Sequence, residues 1–283
     1  MSLRYTLKLN DRGQEVKRLQ KALSTTADGK FGPKTEKIVR DYQEDSGLIV
    51  DGLAGKQTLD SLNINVTAAT DLSSWNGIVN FKKMKKAGCA AAWIKITEGT
   101  THQNPGYQKK FDDARSAGFT VGAYHFGRPD TYAGDPRDWE KEATNFLLQL
   151  DRAGCHSGDL IPVLDLEAGM KTDDNHNVNW CLNWLDLVGK ETNSTPMIYT
   201  ARWAWQLFVM KADKDKVKKL LEYPVWYAAY MRGDRLVGPE EKLRGWKNWD
   251  VWQYTGHGSL DGIKGRCDLN WIAGEQINKL RVP

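Results

Sequence analysis

The 283-residue chain has no long apolar run; its longest, residues 89–94, falls far short of the ~18 residues that a membrane-spanning helix needs. Its opening stretch, MSLRYTLKL, lacks the apolar segment of a secretory signal, which predicts synthesis in the cytoplasm without an export address of its own. Cysteine is scarce and scattered over Cys89, Cys155, Cys181 and Cys267, with no CxxC pair. That excludes a zinc knuckle or a compact disulfide scaffold and leaves free, mostly buried thiols. Forty basic against thirty-six acidic residues give a net charge of only +4, too little for a dedicated nucleic-acid binder. His102, His125, His156, His176 and His257 form neither HExxH nor Cys/His ligand spacing, so no metal is expected. Gly99, Gly122 and Gly127 make no phosphate-binding fingerprint, so no nucleotide cofactor is expected either. What is there, 40% hydrophobic residues at a mean hydropathy of −0.59, suffices for a folded core. The length fits one large domain plus a small one.

Composition shows where the two meet. All twelve Trp and all four Cys lie after position 66, which predicts a small unit over 1–65, a larger one over 66–283, and a brief linker at 63–70 leading into a strand. The small unit contains a repeat: Asp28-Gly-Lys-Phe-Gly-Pro-Lys-Thr35 matches Asp51-Gly-Leu-Ala-Gly-Lys-Gln-Thr58 as DGxxGxxT, offset by 23 positions. Each copy reads as a turn that opens a helix, with Pro33 in a first turn where its missing N–H costs nothing. Val16, Leu19 and Leu23, then Ile38, Val39 and Tyr42, then Leu59 and Leu62 are apolar stripes at helical spacing, predicting three helices. The unit holds no carboxylate pair or His cluster, so binding is its expected task. These segments, LKLNDRGQEVKRLQKAL, DGKFGPKTEKIVRDYQ and GLIVDGLAGKQTLDSL, resemble the type 1 peptidoglycan-binding module over nearly its full length. The resemblance implies cell-wall peptide or glycan as the ligand; a stabilising cap or a dimerisation unit is the alternative.

In the larger unit, eight short apolar runs alternate with helical stretches: 69–73, 90–96, 120–126, 160–166, 196–200, 224–228, 250–254 and 266–269. Helical signals fall at 79–87, 108–117, 136–150 and 179–192, several stopped by glycine at Gly88, Gly118 and Gly154. Strands alternating with helices imply parallel βα units, and eight of them predict an α/β fold, a (β/α) TIM-like barrel, irregular where helices are short or missing. An open doubly wound sheet is the weaker alternative.

Barrel enzymes place their chemistry at the C-terminal ends of the strands, and the acids fall there. Asp71 ends the first strand, Asp165 and Glu167 the fourth, and Asp268 lies on the eighth; Tyr124 ends the third and Tyr199 the fifth. Alternation points Asp165 and Glu167 to the same side. Four acids without basic partners raise the pKa of the least solvated, leaving a proton donor near neutrality. Glycoside cleavage needs such an acid, and a second carboxylate opposite an oxocarbenium-like transition state. Trp75, Tyr124, Trp226 and Trp252 near the mouth suit a saccharide groove, with about half of such rings expected to be structural. An acid pair at i, i+2 in an apolar strand is costly without a function, whereas Asp71 or Asp268 alone could cap a helix. His125 reads as a hydrogen-bonded packing residue.

The stretches DLSSWNG, AAWIKITEG, VGAYHF, PVLDLE, PMIYT, VWYAAY, VWQYTGHG and CDLNWI, in that order over 69–273, resemble glycoside hydrolase family 25, lysozymes that cleave after N-acetylmuramic acid. By position, Glu167 resembles the general acid and Asp165 the partner that orients the sugar's acetamido group in a substrate-assisted route. Asp71 and Asp268 resemble the remaining cleft acids, and Tyr124, Tyr199, Trp226 and Trp75 substrate-binding residues. Direct displacement and inversion stay open, because carboxylate separation depends on rotamers. The two resemblances together imply a monomeric muramidase aimed at bacterial peptidoglycan by its first unit, with no nucleic-acid partner and no membrane insertion. They look like a phage endolysin made in the host cytoplasm that acts at the wall after release; a bacterial autolysin has the same parts. The alternatives are a wall-binding structural protein and a glucosaminidase or chitinase on the same fold.

Overall fold

A computed structural model describes residues 5–129, 135, 137–169, 173–231, 243–274 and 276–283. The small unit contains α1 (Gln14–Ala22), α2 (Pro33–Asp45) and α3 (Lys56–Ser61). Val16, Leu19, Val39 and Leu59 are buried at its centre, and Pro33 takes the first helical position of α2. The repeat has a physical cause that the motif alone did not disclose. Gln20 precedes the first copy and Gln43 the second at the same 23-residue offset. Gln20 Nε2 donates to Asp28 Oδ1 (2.8 Å), the Lys30 carbonyl (3.1 Å) and Thr35 Oγ1 (3.1 Å), while its Oε1 accepts from the Gly29 N–H at 2.8 Å. Gln43 repeats this with Asp51 (2.9 Å), the Leu53 carbonyl (3.0 Å), Thr58 (3.1 Å) and the Gly52 N–H (2.9 Å). Each buried amide is thus saturated and ties a turn to the preceding helix. Gly29 and Gly52 sit at φ of +74° and +73°, a conformation that costs other residues energy.

The larger unit opens with β1 (Thr67–Leu72) and continues through α4 (Phe81–Lys86), β2 (Ala91–Glu98), β3 (His102–Gln103), α5 (Tyr107–Ser116), β4 (Thr120–Phe126) and α6 (Asp138–Arg152). Then follow β5 (Val163–Asp165), α7 (Asp174–Thr192), β6 (Met197–Ala201), α8 (Arg202–Phe208), α9 (Lys214–Leu220), β7 (Val225–Ala228), β8 (Val251–Gly258), β9 (Cys267–Ile272) and α10 (Gln276–Lys279). Pro136, where the sequence starts the third barrel helix, lies outside the described residues. The sheet runs β1-β9-β8-β7-β6-β5-β4-β2 and closes through β1 with β2; β3 is a short appendage on β2. All eight strands expected from the sequence are present in an α/β barrel.

The expectation of eight parallel strands is corrected at the last one: β9 is antiparallel to both β8 and β1. The reason is chain length. Parallel neighbours need a crossover of about a dozen residues or more, and residues 259–266 between β8 and β9 are too few. This reversal aligns Asp71 directly with Asp268 across the β1–β9 pair. Inside the barrel, Trp93 and Trp226 lie 4.9 Å apart between ring centres, among Ala69, Val163, Met197 and Ile272. Gly122 on β4 makes room for them, since a Cβ there would stand 2.8 Å from the Trp93 indole nitrogen.

With no helix between β8 and β9, their outer face needs another cover, and the small unit supplies it. Tyr5 packs edge-on against Trp271 at 4.7 Å, and Trp271 stacks on Tyr254 at 3.8 Å. Gln14 exchanges two hydrogen bonds with the Trp249 backbone, at 3.4 and 3.3 Å. The module's Val16, Leu19 and Leu59 belong to the same contiguous apolar core as Trp252, Leu269 and Trp271. The module is therefore docked on the barrel, and a freely swinging tether does not describe it. Deleting residues 1–65 uncovers this aromatic face and is expected to lower the melting temperature of the barrel by several degrees; an unchanged Tm in a calorimetric scan would show that the contact stabilises nothing.

Candidate active site

Period-two alternation explains how the site forms. Residues on the face that fills the barrel lower down, such as Ala69, Val163, Met197 and Ile272, are followed along each strand by polar residues on that same face at the open end. The upper layer consists of Asp71 (β1), Lys95 (β2), Tyr124 (β4), Asp165 (β5), Tyr199 (β6), Gln253 (β8) and Asp268 (β9), with Glu167 just beyond β5. All eight line one cleft of about 240 Å³, together with Ser73, Trp75, Phe126, Val163, Trp226 and Tyr230. The four acids and Tyr124, Tyr199, Trp226 and Trp75 are thus brought to the same cleft. Trp252 is not among those lining it; its side chain is buried in the core that the module covers, its indole donating to the Ala229 carbonyl at 2.7 Å.

The acids differ in their surroundings. Asp71 Oδ1 accepts from Asn270 Nδ2 at 2.8 Å and from Gln253 Nε2 at 3.2 Å. Those amides are oriented in turn: the Trp226 indole donates to Asn270 Oδ1 (2.8 Å), and the hydroxyls of Tyr199 (3.0 Å) and Tyr230 (3.1 Å) donate to Gln253 Oε1. Asp165 is only 6% exposed, and its Oδ1 is buried with no hydrogen-bond partner among the described residues. Burial first and Asp268 second push the Asp71 carboxyl well above the usual range, with Asn270 and Gln253 opposing. Asp165 is pushed well up by burial and by Glu167, with Lys95 opposing. Glu167 is raised by burial and by Asp268, with Lys95 and Tyr199 holding it back, and burial raises Asp268. A cluster of this kind keeps protons near neutrality and titrates as a group.

Lys95 is the one cation lining the cleft among the described residues. Its Nζ bonds Glu98 Oε2 at 2.6 Å, and the Arg128 guanidinium bonds Glu98 Oε1 at 2.6 and 2.9 Å. Both cations lie over the Phe126 ring, at 4.4 and 4.8 Å. Trp75 presents an indole 95% exposed at the mouth, on a single 3-10 turn (Ser74–Asn76) capped by Ser73. Trp226 is only 2% exposed and forms floor, where its indole N–H positions Asn270. His125 is a packing residue: it stacks on Trp184 at 5.5 Å, and its ring nitrogens lie 2.8 Å from Thr97 Oγ1 and 2.7 Å from Glu142 Oε2. Burial pushes its pKa down to about 3, so the imidazole is neutral, with one nitrogen donating and the other accepting.

Sequence reasoning did not single out Lys95, Gln253, Asn270 or Tyr230. A signal existed for the first three: each stands two positions from an apolar residue that fills the barrel, Trp93, Val251 and Ile272, on the register of the acids. Tyr230 follows β7 and ends the stretch VWYAAY, which carried the family resemblance without assigning the tyrosine a role.

A closed, irregular barrel that gathers four carboxyls in an aromatic-rimmed cleft at the strand ends defines a glycoside-hydrolase catalytic domain. The chain belongs to glycosyl hydrolases family 25, whose family model matches residues 70–263. Residues 12–62 match the model of a peptidoglycan binding domain. The chain is similar to lysozyme M1 of Streptomyces globisporus, 25% identical over 236 residues that cover 80% of this chain and 74% of that one. It is also similar to the N,O-diacetylmuramidase of a Chalaropsis species, 28% identical over 213 residues covering 69% of this chain and 95% of the relative. Among solved structures, the CTP1L endolysin superposes with a TM-score of 0.61 at 26% identity, over 76% of this chain and 69% of that one.

Proposed function

We propose that the protein is a muramidase that hydrolyses the β-1,4 bond between N-acetylmuramic acid and N-acetylglucosamine in bacterial peptidoglycan, and that residues 1–65 hold it on the wall while residues 66–283 cut. The observation that carries this reading is the convergence of Asp71, Asp165, Glu167 and Asp268 on one cleft, with a buried Asp165 oxygen left without a partner among the described residues. Glu167, raised by burial yet partly exposed, is the general acid that protonates the leaving glycosidic oxygen as the C1–O bond breaks. The acetamido oxygen of the muramyl sugar attacks C1, and Asp165 accepts the acetamide N–H and balances the positive charge that develops. Water then opens this intermediate at C1, giving its proton to Glu167. Asp71, fixed by two amides, and Asp268 beside it hold the cluster's remaining proton and orient water or sugar hydroxyls. Tyr124 donates to the sugar, Tyr199, whose proton goes to Gln253, accepts from a sugar hydroxyl, Trp226 supports them from below, and Trp75 stacks on a ring at the cleft mouth.

The layout of a wall-binding module ahead of a muramidase, and the fold shared with an endolysin, support a role in releasing phage from a host cell. In that role the enzyme works as a monomer, is made in the host cytoplasm and reaches the wall at lysis.

Digestion of purified peptidoglycan, borohydride reduction and mass spectrometry of the released muropeptides test the linkage. Reduced muramic-acid ends are expected. Reduced glucosamine ends would make the enzyme a glucosaminidase, and no release from several wall types would favour the wall-binding structural protein.

A further inference from the structure

Beyond Glu167 the catalytic cleft opens into a second groove of about 810 Å³, which shares Glu167, Tyr199 and Tyr230 with it. Its character is different. The catalytic cleft is dominated by acids, whereas among the described residues lining the groove Arg202 is the one cation and Glu167 the one acid. Arg202 opens α8 directly after β6, so the barrel itself sets it at the rim. Its guanidinium is exposed, and among the described residues its Nε donates, at 3.1 Å, only to Gln206, a neutral side chain of the same groove. Beside it Trp203 is 53% exposed, held edge-on against Phe208 at 6.3 Å. A large exposed ring next to a cation that has no carboxylate partner among the described residues is a recognition surface for a ligand with both apolar and anionic parts.

Taking the muramidase reading as its basis, we infer that this groove receives the peptide stem of the substrate, with Arg202 pairing with a stem carboxylate and Trp203 covering its backbone and small apolar side chains. Charge decides between stem and glycan. The sugars of a peptide-substituted glycan are neutral and give a guanidinium nothing to pair with. The stem, joined through the lactyl group of the muramyl residue, carries free carboxylates. A muramyl sugar held at Glu167 extends its lactyl arm from the ring carbon two bonds from the reacting one, and the groove begins at residues it shares with the catalytic cleft, Glu167, Tyr199 and Tyr230.

The test compares kcat/KM on glycan chains carrying intact stems with kcat/KM on the same chains stripped of peptide by a purified amidase, the lactyl carboxyl that the amidase frees being capped as a neutral methylamide. The wild-type enzyme is expected to prefer peptide-bearing chains about fivefold, the size of a partly exposed ion pair, and the preference should shrink as salt is added. Arg202→Gln should bring the ratio toward one, and Trp203→Ala should reduce it further. Equal wild-type rates on the two substrates, or a ratio that Arg202→Gln leaves unchanged, would overturn the assignment. Cleavage of neither substrate by the wild type would instead remove the muramidase reading on which it rests. Since Arg202 is exposed, its replacement leaves the fold intact, and matched melting curves check this.

Discussion

Glu167→Gln is expected to reduce turnover on peptidoglycan by about 10²–10⁴-fold while leaving retention on sedimented walls unchanged. That range is what a positioned proton donor contributes. The change replaces one side-chain oxygen by an amide in a partly exposed position, so the cleft keeps its shape. The pH profile carries the sharper information. A general acid works only while protonated, so activity falls as pH rises through its pKa, and burial together with Asp268 moves that descending limb above the ordinary carboxylate range. Lys95 and Tyr199 moderate the shift. The residual activity of the Gln variant should lose the descending limb, because nothing remains at that position to deprotonate. A variant retaining near wild-type turnover, or one retaining the same alkaline limb, would remove Glu167 from the role of acid.

Asp165→Asn should be as damaging to turnover, and it should also stabilise the protein. The side chain is almost fully buried, one oxygen has no partner among the described residues, and burial, then Glu167, push its ionisation well upward. A carboxyl whose folded-state pKa is raised binds more protons folded than unfolded, so stability falls as pH rises through the interval between the two values. Below the ordinary carboxylate range there is no penalty; above the folded-state value the full penalty is present. Each tenfold change in the ionisation constant corresponds to about 1.4 kcal/mol, or roughly 3–6 °C in Tm for a domain of this size. Asn keeps the shape and removes the charge. Its melting temperature should therefore exceed that of the wild type at neutral pH, and the gain should fade toward pH 4. A lower Tm at neutral pH would mean that the carboxylate stabilises the fold, and the picture of a strained, function-bearing acid would fail. Lost turnover with unchanged stability at every pH would leave only its part in the reaction.

Much of this protein was determined by its sequence alone. Apolar runs located all eight barrel strands, and helical signals located four of the helices around them but not α8, α9 or α10, because a strand buried on both faces needs apolar residues and a long helix needs one apolar stripe. The acids at the strand ends were equally legible: a charge at Asp71, Asp165, Glu167 or Asp268 breaks an apolar pattern that packing by itself would never break. Even the reversal of the last strand was implicit in the eight residues, 259–266, that precede it, too few to cross a barrel.

Tertiary structure decided what depends on neighbours far away in the chain. Only barrel closure aligns Asp71 with Asp268, 197 positions on, and so sets which acids repel which. Only the fold brings Gln253 and Asn270 onto Asp71, since a lone amide in an apolar strand could equally bond a backbone group or a water. The place of the module follows the same logic. Composition marked it as separate, yet the helix-free outer face of β8 and β9 is apolar surface that must be covered, and Tyr5 and Gln14 meet it there. Patterns along a chain report what each segment must bury; which surface does the burying is a property of the assembled molecule.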